Sequence, residues 1–80
     1  MRVVIDGQVL EGETALEVIR AMRRSASHWQ QESSLTEYMA RVVERFHRFG
    51  QDVRATGTNE EERAQSLLAG MLACGYARKI

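Results

Sequence analysis

The chain has 80 residues, a hydrophobic fraction of 44% and a formal net charge of zero at pH 7. That length makes one domain, residues 1–80, near the lower end of what folds alone, and the hydrophobic fraction is too high for a disordered chain. Zero net charge supplies no global field to recruit nucleic acid, the single cysteine excludes an internal disulfide, and no apolar run approaches the roughly 18 residues of a membrane helix.

The opening "MRVVIDGQ" reaches an aspartate too early to be a signal peptide. A soluble protein in a reducing, cytoplasmic compartment is therefore expected, with no membrane partner. Two histidines and one cysteine, without CxxC or HxxxH spacing, give no structural zinc site. A core of this size supplies only about 3–5 kcal/mol of net stability. Self-association is the expected support.

"RVVIDGQVLEGET" reads as a β-hairpin. Val3, Val4 and Ile5 are β-branched, Asp6-Gly7 is a strong two-residue turn signal, and Val9-Leu10 begins the return strand. Thr14 with Glu17 forms a capping box that starts a helix over about 14–27. Ala15, Ile19, Met22, Ala26 and Trp29 share one face of it, widened by Leu16 and Val18. Ser34 with Glu37 repeats the box for a helix over 35–49. Leu35, Met39, Val42, Phe46 and Phe49 form its apolar face, with Tyr38 and Val43 beside it, and Gly50 stands where a C-cap is expected. Glu37–Arg41 and Glu44–Arg48 are spaced for i,i+4 ion pairs.

In "QDVRATGTN", Val53 and Ala55 alternate with polar residues, which suits a brief third strand near 51–56 or an extended connection. Thr58 and Asn59 both offer N-caps for a third helix over 60–75, and Glu60, Glu61 and Glu62 complement the helix dipole. Ala64, Leu67, Leu68, Met71 and Leu72 are its apolar face, Gly75 ends it, and "YARKI" follows as a short tail or terminal strand. The expected fold is α+β: an N-terminal β-hairpin packed on three α-helices.

The hairpin followed by "GETALEVIRAMR" resembles the opening of a β-grasp domain, as in plant-type ferredoxins and ubiquitin-like carriers. The likeness covers about the first quarter of the chain. A β-grasp sheet needs two further substantial strands, whereas residues 34–50 and 60–75 read as helical. The ferredoxin cysteine set and a terminal Gly-Gly are both missing. No functional residue is carried over.

Enzyme chemistry finds little to work with. Cys74 falls at the C-terminal end of an apolar helix, where the dipole disfavours a thiolate, and reads as a small buried hydrophobe. His47, among arginines and glutamates, reads as an exposed or half-buried side chain. Gly7 and Gly12 lack the lysine or GxGxxG pattern of a phosphate loop. Three successive helical glutamates point about 100° apart, so Glu60–Glu62 cannot converge on one cation. No catalytic residue, cofactor site or metal site is assigned.

Ten of the eleven basic residues are arginine. Arg20, Arg23 and Arg24 share one helix face and Arg41, Arg45 and Arg48 another, where Trp29 or Tyr38 would be available to stack on bases. Glu17, Glu37 and Glu44 sit beside the same rows, so a solvated face with internal ion pairs is the favoured reading and contact with nucleic acid or an acidic partner the alternative. His28 and Trp29 are the residues best placed for a pocket. The phase of Trp29 instead favours a ring that covers the open end of the core with its N–H near water. The expectation is a small non-catalytic protein-interaction module, self-associating as a homodimer, with an unidentified protein partner; the alternative is a nucleic-acid binder using the arginine rows.

Overall fold

The computed structural model describes residues 1–25 and 34–80. Two strands come first, β1 (Arg2–Ile5) and β2 (Gln8–Glu11), followed by α1 (Ala15–Arg24), α2 (Leu35–Arg48), α3 (Glu60–Ala73) and the terminal strand β3 (Ala77–Lys79). The fold is α+β with an N-terminal hairpin. The sequence expectations for Ala26, His28 and Trp29 lie outside the described residues.

The hairpin forms as its turn chemistry dictates. Asp6 and Gly7 both take positive φ, 53° and 78°, the combination of a type I′ turn, whose twist matches that of the flanking strands. Ile5 then faces Gln8, Val4 faces Val9 and Val3 faces Leu10. On the other side β1 pairs antiparallel with β3, so β1 is central in the order β2-β1-β3. Strand alternation sends Val3, Ile5, Leu10 and Ala77 to one face, where all are buried. Val18 and Ile19 of α1 and Ala64, Leu67 and Met71 of α3 cover that face, each essentially without solvent contact. Each large side chain buried in this way contributes about 1.5–3 kcal/mol.

The third strand lies elsewhere than the 51–56 alternation suggested. Residues 51–56 take no regular secondary structure and join no sheet; Val53 and Arg54 meet α3 instead. Val53 is 1% exposed, and its Cγ1 would lie 3.0 Å from a Cβ at Gly70, so the valine seats where that helix lacks a side chain. The Ser66 hydroxyl donates to the Arg54 carbonyl at 2.8 Å and pins the same segment to the helix. The alternation of Val53 and Ala55 marked a buried face, but one against a helix.

Two helix starts share a device that goes beyond a capping box. At α1 the Thr14 hydroxyl accepts from the Glu17 amide, while the Glu17 carboxylate accepts from the amide of Glu13, one residue before the cap. At α3 the Asn59 side chain accepts from the Glu62 amide at 2.8 Å, and the Glu62 carboxylate accepts from the Thr58 amide and hydroxyl. Asn59, not Thr58, is therefore the N-cap. In each case a glycine two residues before the cap, Gly12 or Gly57, lets the glutamate fold over the chain. A Cβ on Gly12 would sit 2.6 Å from Glu17 Cβ, and one on Gly57 would overlap Glu62 Cβ.

These bonds hold the Glu62 carboxyl below its ordinary pKa of 4.5, the Thr58 amide being the larger cause. A depressed folded-state pKa stabilises above the unfolded value and loses that contribution as pH falls through the folded value. The melting temperature should therefore decline on acidification below about pH 4.5, and Glu62→Gln should flatten that decline. An unchanged acid limb in the variant would contradict the assignment.

Candidate functional site

Helix ends, where an apolar stripe outruns the core, generate the distinctive surface. Phe49 continues the phase of Leu35, Met39, Val42 and Phe46 and was expected inside with them. It is 77% exposed. The reason is local: α2 stops at Arg48, Phe49 is its C-cap, and the chain turns away at Gly50 with φ 76°. Cys74 is a second correction. It is exposed, not buried, because the stripe of α3 ends with the half-buried Leu72 and the helix stops at Ala73. Its Sγ donates to the Met71 carbonyl at 3.5 Å.

Beside Phe49 an open cleft of about 320 Å³ runs between the hairpin, α1, α2 and Tyr76 in the segment that joins α3 to β3. Phe46 forms part of one wall and meets the Tyr76 ring edge-on, with centroids 4.9 Å apart and planes at 89°. Such a pair is worth about 0.5–1.5 kcal/mol beyond its burial. Tyr38, Met22 and Phe49 extend the apolar lining, while Asp6, Gln8 and Arg45 add polar groups. Burial raises the Tyr38 hydroxyl pKa, opposed by Arg45 and Arg23. Burial also raises that of Tyr76, with Asp6 adding to the rise and Arg45 opposing it. Both phenols stay protonated hydrogen-bond donors at neutral pH.

The arginine rows are only partly brought together. Arg20 and Arg24 are exposed and Arg23 half-buried on α1; Arg41, Arg45 and Arg48 are exposed on α2. The rows approach where Arg23 and Arg45 both act on Tyr38. Arg48 is engaged by Glu44 at 2.9 Å, the i,i+4 pair the spacing predicted. His47 is exposed. His28 and Trp29, proposed as a pocket, lie outside the described residues. Among the described residues, no three His, Cys, Asp or Glu side chains gather closely enough to hold a metal ion, and no helix is long and apolar enough to cross a membrane.

Sequence reasoning missed Tyr76, Asp6 and the exposure of Phe49. Tyr76 directly follows the helix-ending Gly75, and its meeting with Phe46 depends on β3 returning to β1, a pairing the hairpin pattern does not announce. At concentrations where the chain is monomeric, Phe49→Ser should change folding stability by no more than about 0.5 kcal/mol in a thermal melt. A loss of several kcal/mol would return it to the core. No family model, no curated protein and no solved structure matches this chain.

Proposed function

We propose that this protein is a small non-catalytic interaction module that works as a homodimer. The observation that carries this reading is the large apolar surface outside the core, divided between the β2 edge, where Val9 is 58% exposed, and the aromatic cleft, where Phe49 is 77% and Tyr76 44% exposed. Small domains without a disulfide gain much from a second chain, because burying each such side chain contributes about 1.5–3 kcal/mol. The aromatic cleft beside Phe49 supports a protein partner with an apolar contact group. The exposed thiol of Cys74 supports a reducing, cytoplasmic setting.

The arginine rows keep nucleic-acid binding as the competing reading, and salt separates the two. A protein that neutralises several phosphates loses roughly 10³-fold or more in affinity between low and moderate salt. The zero net charge and the Glu44–Arg48 pair lead us to expect weak heparin retention with little salt dependence. Tight retention that collapses steeply with salt, lost on replacing Arg41, Arg45 and Arg48 with glutamine, would overturn the homodimer module in favour of a phosphate-binding surface.

A further inference from the structure

Hydrogen-bond phase decides which backbone groups of the sheet remain unused. Gly12 donates to the Met1 carbonyl at 3.1 Å, and Ile80 donates to the Arg2 carbonyl at 3.2 Å. Odd-numbered residues of β1 therefore bond toward β2 and even-numbered ones toward β3, as the antiparallel alternation requires. It follows that Gln8 and Leu10 turn their amides and carbonyls inward to β1, while those of Val9 and Glu11 point out from the β2 edge. Among the described residues no strand pairs with that edge.

The two edges of the sheet are not equivalent. β3 carries Arg78 and Lys79, both exposed, and edge cations of this kind discourage pairing. Two β3 edges side by side would crowd four cations together. The β2 edge has one charge, Glu11, already neutralised by the Arg2 guanidinium beside it; the hydrogen bond from Arg2 holds its carboxyl below the ordinary range. Val9, 58% exposed, fills the rest of the edge's outer face.

From this we infer that the homodimer forms by antiparallel pairing of β2 with β2 of a second copy, in a register centred on Leu10. In that register Val9 of each copy faces Glu11 of the other, so every outward-pointing amide and carbonyl of the two strands finds a partner. The two Glu11 carboxylates are set apart instead of opposed, and the two Leu10 side chains meet on the inner face, joining the cores. The result is a six-stranded antiparallel sheet in the order β3-β1-β2-β2-β1-β3. The contact is isologous: it consumes the one unguarded edge of each copy and closes at two.

The inference rests on the homodimer reading, and its test separates the two. Val9→Pro removes an N–H that points away from β1, so it breaks no bond within the hairpin, and proline suits an edge position. The variant should keep its far-ultraviolet circular dichroism and sediment as a monomer at concentrations where the wild type is a dimer. In the wild type, amide exchange at Glu11 should slow by roughly tenfold or more as concentration rises through dimerisation, independently of whether the variant folds. A wild-type dimer whose Glu11 amide exchanges as fast as in the monomer, or a folded Val9→Pro protein that still dimerises, would overturn the edge pairing and leave the homodimer reading standing. A wild type that never dimerises would overturn both.

Discussion

Ile19→Ala is expected to leave much of the population unfolded. Ile19 is fully buried on α1, among the side chains that close the inner face of the sheet. Truncating a buried isoleucine to alanine costs about 2–5 kcal/mol, from lost transfer energy and from the cavity left behind. A domain of this size holds only about 3–5 kcal/mol, so one substitution removes most of its margin. In a urea titration followed by circular dichroism the midpoint should fall toward zero denaturant. A loss of less than about 1 kcal/mol would mean that the α1 contact with the sheet is not central to stability.

The second large effect is expected at Gly57. Its φ of 148° is a conformation that residues with a Cβ rarely adopt, and an alanine methyl would overlap Glu62 Cβ, close to the Arg63 amide. The glutamate cannot withdraw without giving up its bonds to Thr58. Backbone strain and overpacking together predict a loss of about 2–4 kcal/mol for Gly57→Ala. Gly50 provides the control. It too has positive φ, but nothing lies within 4 Å of its missing Cβ, so Gly50→Ala should cost only the left-handed penalty of about 1–2 kcal/mol. Equal losses in the two variants would show that the fold of Glu62 over the chain does not matter.

These two sites also show how far the residues alone carried the fold. The hairpin was legible because Asp6-Gly7 admits few turns. The helix starts were legible because Thr14 and Ser34 each stand three residues before a glutamate, and at α3 Thr58 and Asn59 stand side by side ahead of Glu60–Glu62. The role of Gly12 and Gly57 was not, since a glycine before a helix reads as a turn until the glutamate is seen lying on it. Helical periodicity assigns a face but not the point where that face leaves the core. Phe49 and Cys74 were therefore assigned to the interior and are exposed. The alternation at Val53 and Ala55 left a strand and an extended connection both open, because alternation cannot tell a sheet neighbour from a helix such as α3. The aromatic cleft joins Asp6, Met22, Phe46 and Tyr76, residues far apart in the chain, so no local pattern could reveal it.

Sedimentation equilibrium of the unaltered chain, run from low to high micromolar concentration, decides whether the homodimer forms. An interaction module that works as a homodimer must show an average mass that rises from the 9.1 kDa of one chain toward twice that value and then stops, because a two-fold contact closes at two copies. A single species of 9.1 kDa throughout the range would rule the homodimer out.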